Sequence, residues 1–438
     1  MVEPSEANPS VEKLAAGRDP VEAILSHCRS VVLSAVEKGW NGPPFDPFAL
    51  AEMLRIETVP RDDIEDARTI LSGGRKFTIE FNPNRPRART RFSVAHEIVH
   101  TFFPDCAESI RNRARKSQVP ADEWHLEMLC NIGAAELLMP IGSFPELRDA
   151  VLNIDTLLQL RKEYDMSVEA VLLRATRLTE QACLMFAASR IEGERSQNTY
   201  KTDYAIPSST WSGPVPHRFA FSDRSVIAEC IAIGFTAKGD ENLPAVGDVH
   251  VECVGVPPYP GRLFPRVVGL AVPYAIQHAS RRRIEILRGD ATHPRGDGLR
   301  IVAQVVNNKT PNWGGGFALV VRKNWPQVQR DFQEWVGGGS GRLRLGSVRF
   351  VLVDESLGFL SMVCQHGYGP SPLPRIRYNA LGACLVSVAE IAREKQASVH
   401  MPRIGCGQAG GDWSIVSELI EEKVCRQGVP VTVYDLPE

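Results

Sequence analysis

The stretch RFSVAHEIVH, residues 91–100, decides how the front of this 438-residue chain is interpreted. It places His96 and His100 four positions apart, hence on one face of a helix and close enough to bind the same zinc ion. Glu97 lies between them, where its carboxylate can approach a water molecule that the metal activates without being a ligand itself. The alternative is a core helix that carries two hydrogen-bonded histidines, so the surrounding sequence has to decide.

A second helical segment, HLEMLCNIGAAELLMP (residues 125–140), offers Glu127 as a third ligand. Three protein ligands leave the fourth zinc position open for water, as a catalytic site requires. Asn131 lies one helical turn beyond Glu127, so it is predicted to hydrogen-bond a ligating imidazole from outside the ligand set.

Four other side chains compete for the third position: Asp105, Asp122, Glu123 and His125. Helix periodicity favours Glu127, because only its phase turns Ala134, Ala135 and Leu138 toward a packed interior.

These two segments, RFSVAHEIVH and E-x-x-C-N-x-x-A-A-E-L-L-M-P, closely resemble the ImmA/IrrE family of bacterial metallopeptidases over roughly residues 20–185. The resemblance implies Zn²⁺ as cofactor, with His96, His100 and Glu127 as ligands and Glu97 as the catalytic residue. It also implies a regulatory protein, typically a repressor, as substrate.

The composition excludes several other classes of protein. Fifty basic and fifty-two acidic side chains give a net charge of -2, so neither direct nucleic-acid binding nor membrane binding is expected. Ten cysteines at irregular spacing, with no C-x-x-C pair, indicate reduced thiols rather than a disulfide framework. Residues 1–20 have no apolar signal region, and no apolar run approaches the roughly 18 residues of a membrane span. A cytoplasmic location is therefore expected.

The length exceeds what one hydrophobic core usually organises, and the patterns predict three parts. Residues 1–190 form a mainly helical metallopeptidase domain, interrupted by two strands in ARTILSGGRKFTIEFNP around a turn at Gly73 and Gly74. Residues 191–283 form a small β-rich middle module with the strand-like runs VIAECIAIGFTA, VHVECVGV and RVVGLAV. Residues 284–438 alternate strands and helices, typical of an α/β sheet covered by helices. The predicted fold class is multidomain α+β and α/β.

Glycine-rich loops mark the last part of the chain. Gly289-Asp290 follows a predicted strand, VVNNKTPNWGGGFA covers residues 305–318, and MPRIGCGQAGGDW covers residues 401–413. Backbone N–H groups in such loops can approach phosphate oxygens closely because no Cβ intervenes, so two loops together could hold a diphosphate.

In this order the three features resemble a macro domain, which implies ADP-ribose as ligand. By that resemblance Asp290 binds the adenine amino group, and Asn307 and Asn308 face the distal ribose. The residues whose backbone would hold the diphosphate are Gly314, Gly315, Gly316, Phe317, Gly405, Cys406, Gly407, Gln408, Ala409 and Gly410.

Within the macro superfamily the likeness is to the branch of ADP-ribose phosphate processing enzymes, terminal ADP-ribose protein glycohydrolases and DarG-type antitoxins. Gln365 stands where some of these have a lysine, and Ala409 where one group has an aspartate, which argues against a lysine-adduct mechanism. His366 and Asp412 are the candidates for assisting a water-based hydrolysis. Asp412 equally fits an N-cap of the following helix.

Three functions are compatible with these patterns. The first is a zinc endopeptidase of regulatory proteins whose rear domain recognises or processes ADP-ribose or an ADP-ribosylated protein. The alternative is an ADP-ribosyl hydrolase or ADP-ribose phosphatase with an accessory peptidase module, in stress or toxin-antitoxin regulation. The third is a sensor in which both halves only bind, against which the presence of Glu97 argues.

Overall fold

The computed structural model describes residues 8–72, 76–108, 123–144, 147, 152–191, 199–216, 219–222, 224–230, 232–258, 263–273, 284–339 and 341–436. The chain divides into two compact units. The first comprises Met1–Leu25, Gly42–Met139 and Phe144–Ala279, and the second comprises Ser26–Asn41, Pro140–Ser143 and Ser280–Glu438. No helix in the described ranges is both long and apolar enough to cross a membrane.

The helices of the first unit are α1 (Pro9–Ala15), α3 (Pro47–Met53), α4 (Arg87–His100), α5 (Glu123–Leu138), α6 (Ile154–Tyr164) and α7 (Val168–Leu178), and α2 (Pro20–Val36) has residues in both units. Side-chain caps start several of them, because a helix N-terminus leaves backbone N–H groups without partners. Asn153 accepts from the N–H of Thr156 at the start of α6, and Ser167 accepts from the N–H of Ala170 at the start of α7.

A three-stranded sheet precedes α4. Its strands are β1 (Glu57–Pro60), β2 (Ala67–Ser72) and β3 (Lys76–Phe81), in the order β1-β3-β2, with β2 antiparallel and β1 parallel to β3. The predicted strand pair is therefore present, while its Gly73-Gly74 turn lies outside the described residues. The Asn82 side chain donates to the carbonyl of Ile64 and accepts from the N–H of Asn84, and so forms the turn that leads into α4.

The rest of the first unit is a six-stranded antiparallel sheet in the order β6-β5-β4-β9-β8-β7. Its strands are β4 (Leu184–Arg190), β5 (Tyr200–Pro207), β6 (Ala220–Phe221), β7 (Thr236–Leu243), β8 (Gly247–Val256) and β9 (Arg266–Pro273). β4 is central in this sheet, although the predicted boundary places it in the metallopeptidase part. The three-part division of the chain stays a prediction.

One predicted strand of this region is wrong. In VIAECIAIGFTA, residues Val226–Glu229 form a 3-10 turn, and β7 begins only at Thr236. The Glu241 side chain accepts from both the hydroxyl of Ser225 and the N–H of Val226, which holds the chain in this turn. The apolar residues of the turn still pack into the core, so their burial in a turn explains the apolar run that predicted a strand.

The second unit is built on a six-stranded sheet in the order β10-β15-β14-β11-β13-β12, parallel except for β12. Its strands are β10 (Ile284–Arg288), β11 (Arg300–Asn307), β12 (Val348–Asp354), β13 (Leu357–Gln365), β14 (Ser398–Pro402) and β15 (Val431–Asp435). Its helices are α8 (Gly316–Asn324), α9 (Pro326–Gly337), α10 (Tyr378–Glu394) and α11 (Trp413–Lys423). The predicted fold class, with helices and mixed sheets in more than one domain, is confirmed.

Residues 26–41 are an integral part of this second unit, which the sequence patterns did not predict. Leu33 belongs to the same buried cluster as Leu385 of α10. The Glu37 carboxylate accepts from the N–H of Tyr378 at the start of α10, and Arg29 pairs with Glu422 at 2.5 Å. Burial raises the pKa of Glu37, opposed by the Tyr378 N–H and by Arg377.

The buried environment of His400 in β14 indicates that the stability of the second unit depends on pH. Its ring is 2% exposed and contacts Ser398 Oγ at 2.8 Å and Tyr434 Oη at 3.1 Å. Burial, assisted by Arg300, lowers its pKa to about 4. The unfolded chain therefore binds a proton at His400 near pH 6.5 while the folded unit does not, so stability falls as pH decreases from about 6.5 to about 4.

We expect this histidine to remove about 3 kcal/mol of stability over that interval. The measurement is the opening free energy of the β14 peptide by hydrogen exchange at a series of pH values. In His400→Gln the loss of opening free energy between about pH 6.5 and about pH 4 should be smaller by about 3 kcal/mol. His293→Gln, at a histidine whose side chain is 71% exposed, should keep the wild-type slope. A wild-type slope in His400→Gln would contradict the assignment.

Candidate functional site

The first candidate site lies where α4 and α5 pack together. Residues four apart on α4 bring the Nε2 atoms of His96 and His100 to 3.1 Å from each other. From α5, Glu127 places one carboxylate oxygen 3.0 Å from His96 Nε2 and the other 3.5 Å from His100 Nε2. Donor groups from two separate helices therefore converge on one point.

The convergence fits a zinc ion. Tetrahedral zinc with bond lengths of about 2.0–2.2 Å separates its ligand atoms by roughly 3.4 Å. The three separations among His96, His100 and Glu127 lie between 3.0 and 3.5 Å. Two imidazoles and one carboxylate are also a donor set that zinc commonly takes in catalytic sites.

Electrostatics and an additional hydrogen bond support the same arrangement. Burial would lower the pKa of His96, but Glu127 and Glu97 raise it above its ordinary value. Burial opposes ionisation of Glu127, yet hydrogen bonds from His100 and His96 hold the pKa of its carboxyl well below its usual range. Asn131 Oδ1 lies 2.9 Å from His96 Nδ1, so it can fix the ring with Nε2 facing the donor cluster.

Glu97 is positioned by the neighbouring sheet. Its Oε2 accepts a hydrogen bond of 2.7 Å from Thr69 Oγ1 on β2, and Thr69 also contacts the Glu97 carbonyl at 3.2 Å. Strand β2 thus orients the Glu97 carboxylate beside the two histidines. This arrangement can hold a general base next to a metal without making that base a ligand.

Among the competing ligands, Asp105 is used elsewhere, because it forms an ion pair of 2.9 Å with Lys13. Asp122 lies outside the described residues, and so do the side chains of Glu123 and His125. Cys130 is not among the predicted ligands, yet it lies at this site. Its Sγ and one ring nitrogen each of His96 and His100 all lie within 4.8 Å of one another. Its position three residues after Glu127, on the same helical face, was the available signal.

The second candidate site lies in the second unit. Asp290 follows β10, and its Oδ1 accepts from both the N–H and the hydroxyl of Thr292, at 2.8 and 2.7 Å. Burial would raise its pKa, but these hydrogen bonds and His293 lower it below the ordinary value. The carboxylate is thus fixed in its charged form, with Oδ2 3.6 Å from His293 Nδ1.

The two predicted diphosphate loops lie side by side. A Cβ on Gly315 would come within 3.1 Å of the Gln408 side chain, which belongs to the other loop. Gly316, Gly405 and Gly410 have φ values of +61°, +71° and +67°, which favour glycine. A Cβ on Gly405 would also meet Ile376 Cδ1 at 2.9 Å.

The remaining residues of the two loops range from exposed to buried. Helix α8 begins at Gly316, so the N–H groups of its first residues belong to the first of these loops. Positions 314 and 407 are open, since a Cβ there would meet nothing within 4 Å. Phe317 packs partly buried against the core, Cys406 contacts the carbonyl of Ile404, and Ala409 is buried.

The two predicted ribose-facing asparagines make hydrogen bonds within the unit. Asn307 Oδ1 accepts from the N–H groups of Lys309 and Thr310, so this oxygen shapes its own loop. Asn308 instead connects β11 to the loop after β13: its Nδ2 lies 3.4 Å from His366 Nδ1, and its Oδ1 accepts from the N–H of Gly367.

Asp412 and His366, the two candidates for assisting hydrolysis, have different surroundings. Asp412 Oδ1 accepts from the N–H and the hydroxyl of Ser414, so this carboxylate is the N-cap of α11. Partial burial lowers the pKa of His366, and the positive charges of Arg377, Lys309 and Arg375 lower it further. A neutral imidazole of this kind can accept a proton at physiological pH.

Known proteins match the two regions separately. The Peptidase_M78 family, described as the IrrE N-terminal-like domain, matches residues 62–176. A macrodomain protein from Streptomyces coelicolor is 42% identical, with a TM-score of 0.31 over 35% of this chain and 99% of that one.

Two curated relatives also match. The chromodomain-helicase-DNA-binding protein 1-like of Danio rerio is 28% identical over 173 residues, which are 37% of this chain and 16% of that protein. The ADP-ribose 1''-phosphate phosphatase of Lodderomyces elongisporus is 24% identical over 148 residues, 32% of this chain and 91% of that protein. The chain thus spans only 16% and 18% of the two chromodomain-helicase relatives that it matches.

Proposed function

We propose, for a chain that contains an IrrE N-terminal-like peptidase domain and belongs in its rear part to the macro domain family, a zinc-dependent endopeptidase coupled to ADP-ribose recognition. Its substrates are regulatory proteins, and its macro domain binds ADP-ribose or an ADP-ribosylated protein. The observation that carries the proposal is the donor cluster of His96, His100 and Glu127, with donor separations of 3.0–3.5 Å, beside a Glu97 held by Thr69.

His96, His100 and Glu127 would hold the metal, and Asn131 would keep the His96 ring in the ligating tautomer. Zinc, when bound, supplies Lewis-acid activation of a water molecule and of the scissile carbonyl. Glu97 takes the proton from the attacking water and later delivers it to the leaving amine, so one carboxylate acts first as base and then as acid. Thr69 keeps Glu97 at the position from which it can make both transfers.

The edge of β2 is suited to hold an extended peptide beside this group. Among the described strands, β2 pairs with β3 on one side only. Asn82 N–H donates to the carbonyl of Asp66, so positions 67, 69 and 71 direct their backbone groups away from β3. A substrate added as a further strand would therefore pair with the backbone of Thr69, whose side chain holds Glu97.

The macro domain gives the peptidase a means of choosing its substrate. A domain that binds an ADP-ribose group on a protein raises the effective concentration of that protein at the cleavage site without new contacts at the scissile bond. The reaction takes place in the cytoplasm in this proposal, because the scattered cysteines fit a reducing compartment.

Metal analysis and chelation test the peptidase half. The purified chain should contain about one zinc, as a single site of three protein ligands demands. It should cleave a randomised quenched-fluorescent peptide library, lose this activity after chelation and regain it on zinc addition. His100→Ala should contain no zinc at this site and cleave nothing, while His250→Ala, at an exposed histidine of the same unit, should behave as wild type. Cleavage that survives removal of all metal would contradict the proposal.

A second function is favoured by His366. Its Nδ1 accepts a long hydrogen bond of 3.4 Å from Asn308 Nδ2, and a water molecule that replaced this contact at Nδ1 could be deprotonated there. The macro domain would then hydrolyse ADP-ribose conjugates or ADP-ribose 1''-phosphate, with the peptidase as an accessory module. Incubation with each compound and analysis of the products test it: release of phosphate or ADP-ribose that disappears in His366→Ala supports this function, and intact starting material excludes it.

A further inference from the structure

The inner wall of the donor cluster contains a thiol. Cys130 lies on α5 three residues after Glu127 and is 0% exposed. Its Sγ, one ring nitrogen of His96 and one ring nitrogen of His100 all lie within 4.8 Å of one another. The Glu127 side chain, by contrast, is 41% exposed. The two histidines therefore have a carboxylate on the solvent side and a thiol on the buried side.

These separations are compatible with coordination by sulfur. In a tetrahedral site with a Zn–S distance of about 2.3 Å and Zn–N distances of about 2.0–2.1 Å, sulfur and nitrogen are roughly 3.6 Å apart. Side-chain movements of about an ångström close the remaining difference. Two histidines and a cysteine are themselves a zinc-binding combination, because thiolate is a ligand that zinc prefers.

We propose that Cys130 is a fourth protein ligand, which completes a two-histidine, glutamate and cysteine set and holds the metal in a closed resting form. On coordination the thiol proton passes to solvent and the sulfur occupies the position that a catalytic site leaves for water. A zinc ion with four protein ligands has the closed geometry of a structural site, so cleavage requires Cys130 to dissociate. This inference rests on the proposed metallopeptidase function and adds a resting state to it.

Cobalt(II) substitution separates the two claims. Cobalt in a four-coordinate site gives visible absorption whatever its ligands are, whereas a near-ultraviolet charge-transfer band requires a bound thiolate. The full-length chain, loaded with cobalt, should show both. Cys130→Ala and Cys130→Ser should keep the visible bands and lose the near-ultraviolet band. Their cobalt affinity should fall by more than the roughly 10–100-fold that loss of an outer hydrogen-bond partner costs.

The matched control is Cys183→Ala, which removes another fully buried thiol of the same unit. This variant should keep both absorption features. The Cys130 variants should also cleave the peptide library faster than wild type once loaded with zinc, because a position for water is then permanently open.

The outcomes distinguish failure of this inference from failure of the proposed function. Visible cobalt bands without the near-ultraviolet band in the wild-type chain would overturn the role of Cys130 and leave the metal site in place. A band lost in Cys130→Ala without faster cleavage would overturn the resting state. Absence of cobalt binding at a chain that circular dichroism shows to be folded would overturn the metal site itself, and this inference with it.

Discussion

Replacing Glu97 by glutamine should lower cleavage of the peptide library by about 10²–10⁴-fold, the usual contribution of a positioned acid-base group. Glutamine preserves the volume of the side chain and can still accept from Thr69 Oγ1, but it cannot take a proton from water. Because Glu97 is not a predicted ligand, the zinc content should stay at the wild-type value. Initial cleavage rates and metal analysis on the same sample provide the measurement.

Two further variants make the Glu97 result specific. Thr69→Val removes the 2.7 Å hydrogen bond to Glu97 while keeping the shape of the side chain, and it should reduce the rate by a smaller factor. Glu52→Gln, at an exposed glutamate of the same unit, should leave the rate unchanged. A Glu97→Gln enzyme that cleaves at the wild-type rate would show that this carboxylate is not the base.

Replacing Asp290 by alanine should weaken ADP-ribose binding by roughly 10–150-fold, the value of a hydrogen bond to a charged group of about 1.5–3 kcal/mol. Its Oδ1 is occupied by Thr292, so Oδ2 is the oxygen that would accept from the adenine amino group. Isothermal titration of ADP-ribose into the full-length wild type and variant measures the difference.

The control for Asp290 is Asp297→Ala, which removes an exposed carboxylate from the same loop. It should bind ADP-ribose as tightly as wild type. If Asp290→Ala binds ADP-ribose as tightly as wild type, Asp290 does not contact the adenine group. If wild type binds no ADP-ribose, the likeness to macro domains concerns the fold and not the ligand.

Local sequence patterns predicted most secondary structure because they report burial with a fixed period. Every strand predicted in the rear part is present, from Ile284 in β10 to Asp435 in β15. The run around Val226 was misassigned because an apolar turn held by Glu241 also buries its residues. Leu33 packs into a buried cluster of the second unit whose other members, such as Leu385, lie hundreds of positions away and leave no local signal.

Some features of the candidate site follow from local sequence spacing, and others depend on residues that are distant in sequence. The spacing of His96 and His100 predicts their shared face from helix geometry alone, and they meet at 3.1 Å. The hold of Thr69 on Glu97 could not be predicted, since it depends on how β2 packs against α4. The sequence is compatible with two roles for Asp412, and the structure shows it as the cap of α11. The oxygen of Asn307 is similarly used within its own loop.

The central claim is that ADP-ribose binding by one domain directs proteolysis by the other. The most direct test uses the randomised quenched-fluorescent peptide library with ADP-ribose attached to each peptide through a flexible linker, and the same library without it, both at low concentration. We expect the ADP-ribose library to be cleaved at least about 10²-fold faster, because tethering raises the effective concentration of the substrate. Excess free ADP-ribose should abolish the difference, and Asp290→Ala should reduce it. Equal rates for the two libraries, in a zinc-loaded chain that binds ADP-ribose, would contradict the coupling.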